Sequence, residues 1–144
     1  MLRRVVLLGG MLLVGVIVLG GVALAANKVG TFGEDTLQGT SQMDRLYALG
    51  AADTIEGRAG NDDCYGGSGT DEISCGNGND RIDGGFGEDI LFGGPGNDTI
   101  LAADGRVDEI DCGLGDNDTA YVDELDDPVD NCENVFVAVR EVTQ

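Results

Sequence analysis

Between residues 30 and 101 an aspartate returns every nine residues: Asp35, Asp44, Asp53, Asp62, Asp71, Asp80, Asp89 and Asp98. Two residues after each stands an apolar side chain, in turn Leu37, Leu46, Ile55, Cys64, Ile73, Ile82, Leu91 and Ile100, and glycines precede most of the acids. A carboxylate on a glycine-rich turn offers two kinds of oxygen, its own and those of the exposed backbone carbonyls beside it. Oxygen ligands without nitrogen or sulfur suit a hard cation. Calcium fits better than magnesium, since it accepts roughly six to eight oxygens in irregular geometry and gives up water more readily. The expected cofactor is Ca2+, several ions per chain.

Written in nines from Gly30, the chain reads GTFGEDTLQ, GTSQMDRLY, ALGAADTIE, GRAGNDDCY, GGSGTDEIS, CGNGNDRID, GGFGEDILF and GGPGNDTIL, eight blocks without an insertion. A helix would need apolar residues three and four apart, and this density of glycine would destabilise it. Each block divides instead into a glycine-rich turn over positions 1 to 6 and a short strand centred on position 8. Strand side chains alternate, so position 8 points inward while positions 7 and 9 point outward. Two blocks make one flattened coil of 18 residues, and successive coils stack at the β-ladder spacing of about 4.8 Å. Asp35, Asp53, Asp71, Asp89 and Asp108 then run down one edge, and Asp44, Asp62, Asp80, Asp98 and Asp118 down the other. Ladders of like charge this closely spaced lie within a Debye length of one another and need a cation between their rungs. After Leu101 the period slips by single residues: "AADGRVDEID" puts Asp108 and Ile110 in the acid and apolar roles, and "CGLGDNDTAY" does so with Asp118 and Ala120. The β-rich "VFVAV" at 135–139 is expected to close the end of the stack.

"GGSGTDEIS", "GGFGEDILF" and "GGPGNDTIL" resemble the repeats-in-toxin (RTX) nonapeptide, G-G-x-G-x-D-x-U-x with U apolar. The resemblance covers 30–101 well and 102–121 loosely. It implies a calcium-binding parallel β-roll that folds when calcium arrives. Carried over, the best-matched sites use Asp62, Asp71, Asp80, Asp89 and Asp98, with turn glycines Gly57, Gly60, Gly66, Gly67, Gly69, Gly76, Gly78, Gly84, Gly85, Gly87, Gly93, Gly94 and Gly96. Asp35 and Asp108 join them as further metal ligands. "GTSQMD" and "ALGAAD" lack glycine at positions 2 and 4, so sites at Asp44 and Asp53 are expected to be weaker or empty. The resemblance carries the roll, not the toxin, protease or lipase domain that many relatives place before it.

Composition narrows the class. The formal charge is −19, and without residues 1–25, which hold Arg3 and Arg4 but no acid, it becomes −21. A nucleic-acid surface is excluded at that charge, and self-repulsion works against a compact state without counter-ions. "MLRR", a long apolar run and the small-x-small Ala23, Leu24, Ala25 read as an export signal. The run is also long enough to serve as a retained anchor, the one way in which a membrane would be a partner. Either way the rest of the chain is expected to be secreted or held at the cell surface. Four cysteines, Cys64, Cys75, Cys112 and Cys132, suit disulfides in that compartment. Three connectivities are open, and loop closure favours Cys64 with Cys75 and Cys112 with Cys132. Zinc is disfavoured because the chain has no His and no CxxC pair.

Other chemistry fits these residues less well than calcium binding. Asp62 with Asp63, or Asp126 with Asp127, could serve as paired acids in glycoside hydrolysis, but they stand out only because acids abound, and no enzyme is expected. Phosphate cradles need a helix after the glycine turn, and these turns lead into strands carrying Asp. "NDT" at 97–99 and 117–119 matches an acceptor for N-glycosylation, yet it falls on the repeat's own positions. A structural or adhesive module is the alternative function, with Tyr47, Tyr65, Ile90 and Phe92 as outward contacts for an unidentified protein or cell-surface partner. The expected fold is all-β, a parallel β-roll (a β-helix or solenoid) of stacked 18-residue coils with a disulfide-stapled C-terminal cap. It divides into 1–25 signal or anchor, 30–121 roll and 122–144 capping segment.

Overall fold

A computed structural model describes residues 24–126 and 128–139 of the chain. Residues 1–23, which carry most of the apolar N-terminal run, lie outside the described residues, so the expected signal or anchor does too.

All regular structure among the described residues is strand. In chain order these are β1 (Asn27–Val29), β2 (Thr36–Gln38), β3 (Arg45–Tyr47), β4 (Thr54–Glu56), β5 (Asp63–Ser68), β6 (Glu72–Ser74) and β7 (Arg81–Phe86). They continue with β8 (Ile90–Pro95), β9 (Thr99–Leu101), β10 (Glu109–Leu114), β11 (Thr119–Asp123), β12 (Val129–Asp130) and β13 (Asn134–Ala138). Odd strands form one seven-stranded sheet and even strands one six-stranded sheet, each in strict order along the stack. All pairings are parallel, and the register is the repeat itself: Arg45 pairs Asp63, Asp63 pairs Arg81 and Arg81 pairs Thr99, each 18 residues on. Beyond Leu101 the partners slip, Ile90 to Glu109 and Thr99 to Thr119, where the sequence inserts its extra residues. The fold is the expected parallel β-roll.

Strand alternation places the core. Position 8 supplies Leu46, Ile55, Cys64, Ile73, Ile82, Leu91, Ile100 and Ile110, all essentially without solvent contact. Position 1 also points inward, and where it is not glycine it adds Ala48, Cys75, Ala102 and Cys112 to the same cluster. Cys64–Cys75 therefore links the two sheets through the interior, and Cys112–Cys132 ties β10 to the last coil. These are the sequence-local pairs. At the N-terminal end Lys28 occupies the inward register opposite Leu46, and its ammonium donates to the Gln38 carbonyl. At the other end Val135 and Val137 continue the inward columns of Ala120 and Val122 but remain 43% and 52% exposed.

Several strands run longer than the three residues expected. β5, β7, β8 and β10 extend through positions 1 and 2, glycine at both in the first three and Cys112 and Gly113 in β10, pairing Gly67 with Gly85 and Gly94 with Gly113. Glycine makes this possible because the backbone of one coil lies almost directly on the carbonyls of the last. At Gly78, with φ of 144°, a β-carbon would stand 1.6 Å from the Gly60 carbonyl oxygen. Gly78→Ala is expected to force the two turns apart and to destabilise the roll by about 1–3 kcal/mol or more, the usual strain at such backbone positions. Denaturant midpoints in saturating calcium measure it, and an unchanged midpoint would show that the stack tolerates a side chain there.

Candidate metal centre

The alternation that buries position 8 also turns position 6 inward. Asp44, Asp53, Asp62, Asp71, Asp80, Asp89, Asp98, Asp108 and Asp118 are all at most 3% exposed. One oxygen of each carboxylate is fully explained. Oδ1 accepts the amide N–H of the ladder residue one coil earlier: Asp53 from Asp35, Asp71 from Asp53, Asp89 from Asp71 and Asp108 from Asp89, at 2.7–2.8 Å. The other edge repeats this, Asp62 accepting from Asp44, Asp80 from Asp62, Asp98 from Asp80 and Asp118 from Asp98. Two further acids that the nine-residue count did not reach finish the ladders. Asp126 accepts from Asp108 at 3.0 Å, and Glu133 accepts from Asp118 at 2.8 Å. A signal for Asp126 existed, since it lies 18 residues beyond Asp108; Glu133 had none, being a different acid at a shortened spacing.

The second oxygen is another matter. Oδ2 of Asp53, Asp62, Asp71, Asp80, Asp98 and Asp118 is buried with no hydrogen-bond partner. It leans into its own turn, over the position-1 residue. A β-carbon on Gly57, Gly66, Gly84 or Gly93 would sit 2.5–2.8 Å from Oδ2 of Asp62, Asp71, Asp89 and Asp98 respectively. Around this cradle the glycines at positions 2 and 4 hold positive φ, among them Gly60, Gly67, Gly69, Gly76, Gly78, Gly85, Gly87, Gly94 and Gly96. Their carbonyls stack coil upon coil, so that a β-carbon at Gly85 would lie 2.1 Å from the Gly67 oxygen and one at Gly96 1.6 Å from that of Gly78. No three acidic, His or Cys side chains converge on one point among the described residues. One carboxylate oxygen per turn, backed by backbone carbonyls, is an all-oxygen donor set that fits Ca2+ and no softer metal.

Burial without a counter-charge penalises the ionised carboxylates. It raises Asp62, Asp80, Asp89 and Asp98 to about 6 and Asp108 to about 7, chiefly by desolvation. The backbone N–H at Oδ1 pulls each of them back down, and neighbouring ladder carboxylates push up again. Asp53, Asp71, Asp118 and Asp126 are raised for the same first cause.

Not every turn is alike. Thr31 donates its N–H at 2.5 Å and its hydroxyl at 2.9 Å to Oδ2 of Asp35, and the Thr40 N–H donates to Oδ2 of Asp44. The block "ALGAAD", without glycine at positions 2 and 4, keeps the shape of the glycine turns, with Leu49 and Ala51 held at φ of 85° and 82°. The other sequence candidates separate in space. Asp62 is buried, whereas Asp63 faces out and pairs with Arg45 at 3.0 Å, so they share no pocket. Asp127 lies outside the described residues. Tyr47 and Tyr65 stack with ring centroids 4.6 Å apart on the seven-stranded sheet, while Ile90 and Phe92 belong to β8 on the six-stranded sheet. These four residues form no single contact surface.

The family model described as the RTX calcium-binding nonapeptide repeat matches residues 29–63, 38–73 and 74–106, together more than half of the chain. No curated protein and no solved structure matches.

The raised carboxyls fix a pH dependence for the calcium-free fold. A carboxyl that holds its proton more tightly when folded favours the folded state at low pH. That contribution is complete below the ordinary value of 3.8 and is lost as pH rises through about 6 to 7. In chelator the melting temperature is therefore expected to be higher at pH 4.5 than at pH 7.5. Calorimetric melts that were flat or rose with pH would contradict the buried, unneutralised state of these groups.

Proposed function

The chain belongs to the RTX calcium-binding nonapeptide repeat family, and from that premise we propose that it is an exported protein whose roll is completed by a row of calcium ions on each edge. The observation that carries this reading is the recurrence of one buried, unpartnered carboxylate oxygen per turn at Asp53, Asp62, Asp71, Asp80, Asp98 and Asp118. Asp89 and Asp108 stand in the same ladder, equally buried, and are assigned the same role. Turn carbonyls, among them those of Gly60, Gly67, Gly69, Gly76 and Gly78, supply the remaining ligands. Bound calcium supplies positive charge where desolvated carboxylates would otherwise repel one another.

The chain's own part is to set the ligands in place. The amide one coil earlier holds Oδ1, which aims Oδ2 into the cradle, and in the turns of Asp62, Asp71, Asp89 and Asp98 glycine at position 1 leaves room for it. Because the thin core is only one residue deep per half-coil, metal binding contributes directly to folding. Residues 30–121 act as the roll, 122–144 as its closing segment, and 1–25 as the export signal or anchor. Two disulfides are consistent with an oxidising compartment. The role is binding and structural rather than catalytic.

Far-UV circular dichroism of the disulfide-intact protein, titrated from chelator into calcium, tests the proposal. A cooperative gain of β signal is expected with calcium and not with magnesium. Asp80→Asn, which keeps an oxygen for the Asp62 amide but removes a charge, is expected to lower the number of calcium ions bound by about one and to weaken the rest several-fold. Absence of stoichiometric calcium binding in the parent protein would falsify the proposal.

A further inference from the structure

Two turns of the ladder are closed by threonine. In the first, the Gly33 N–H donates to Thr31 Oγ1 at 3.1 Å, while Thr31 Oγ1 and N–H both donate to Oδ2 of Asp35. In the second, the Gln42 N–H donates to Thr40 Oγ1 at 3.1 Å, the Thr40 hydroxyl reaches Oδ1 of Asp44 at 3.1 Å, and the Thr40 N–H reaches Oδ2. The same arrangement arises twice, on opposite edges, from six-residue turns, GTFGED and GTSQMD, that share only "GT" at positions 1 and 2 and the Asp at position 6. Neither Asp35 nor Asp44 is among the acids with a buried unpartnered oxygen.

Backbone conformation at position 2 makes the difference. In the glycine turns this residue has positive φ, 110° at Gly67, 100° at Gly76, 95° at Gly85 and 106° at Gly94. The N–H then points along the stack, as when Gly76 donates to the Gly93 carbonyl at 3.2 Å and Leu49 to that of Gly66 at 2.9 Å. The carboxylate is left without a donor. A β-branched residue avoids that region of φ; Thr31 and Thr40 are not in it, and their N–H groups turn inward to the acid. A cation and an N–H cannot both take the same Oδ2 lone-pair direction at close range.

We infer that position 2 selects the kind of turn: a residue at positive φ, glycine in most turns but Leu49 and Arg58 in two, leaves the carboxylate to a calcium ion, and threonine supplies two internal donors in its place, so that the turns of Asp35 and Asp44 hold no calcium and need none. This rests on the calcium reading of the glycine turns. It revises the assignment of Asp35 as a metal ligand, agrees with the expectation of a weak or empty site at Asp44, and keeps Asp53, whose Oδ2 is unpartnered despite its poor turn sequence, among the ligands. The first two turns become the part of the roll closed by its own hydrogen bonds.

Thr31→Gly tests this directly, because it converts "GTFGED" at 30–35 into the same six residues as "GGFGED" at 84–89. Calcium bound per full-length chain, counted by equilibrium dialysis against calcium alone, is expected to rise by one in T31G and to stay at the parent value in Thr31→Ser, which keeps both donors. Amide exchange of the calcium-saturated parent gives a second readout that needs no variant. Thr31 and Thr40 amides are expected to stay protected at least about tenfold. An unchanged ion count in a folded T31G, or loss of that protection when calcium is added, overturns the inference while leaving the glycine turns as calcium sites. A parent chain that binds no calcium removes both readings together.

Discussion

A buried carboxylate with one oxygen bonded and the other bare is the constraint on which this structure turns. Stacked parallel strands bring identical positions to within about 4.8 Å of each other. At an effective dielectric of about 20, two unit charges at that spacing repel by about 3 kcal/mol. A fold that sets acids in such a column, on the inner side and away from water, is tenable only if each rung is held by hydrogen bonds and neutralised. Backbone amides hold Oδ1 along both edges. The unpartnered Oδ2 atoms mark where the neutralising charge belongs. Glycine at position 1 makes room for that oxygen in the turns of Asp62, Asp71 and Asp98, and glycine at positions 2 and 4 lets one turn's carbonyls lie on the next. The nine-residue clock is thus set by the charge as much as by the core.

The repeat made most of the fold and much of the site legible. Position 8 was readable as core because its period matched that of the acids, and position 6 as a structurally fixed acid because no random surface keeps phase. What escaped has physical reasons. Position 1 was assigned to a turn, so the inward course of Ala48, Cys75, Ala102 and Cys112 was not foreseen; glycine hides the side chain's direction by lacking one. Thr40 looked like a missing glycine and Thr31 drew no remark, because a sequence pattern records the loss of a turn residue but not the hydrogen bonds that replace it. Asp126 and Glu133 were missed where insertions and a shortened last coil broke the count. Asp53 sits in a degenerate block that its neighbours hold in the common conformation, with Leu49 and Ala51 at positive φ. Stacking overrides local preference there, as it can wherever a residue's backbone is paired on both sides.

The two ends of the roll are finished differently. Lys28 enters the inward column at the N-terminal end, with its ammonium bound to a carbonyl of the opposite sheet. A charge in that place ends the core and discourages another strand from adding to it. At the far end β13 carries Val135 and Val137 in the inward register with substantial exposure, and the Cys112–Cys132 bridge anchors that coil to the body. The first end is closed by polarity, the last by a covalent tie.

The ladder bonds all run one way. Each amide is met by a carboxylate that lies further along the chain: Asp44 by Asp62, Asp62 by Asp80, Asp80 by Asp98, Asp98 by Asp118 and Asp118 by Glu133. A coil cannot complete its own rung; its successor does. For a chain delivered from its N-terminal end, every newly arrived turn seals the turn one coil before it on the same edge and leaves one open place on each edge of the growing front. Time, in such a molecule, is written in the direction of its hydrogen bonds.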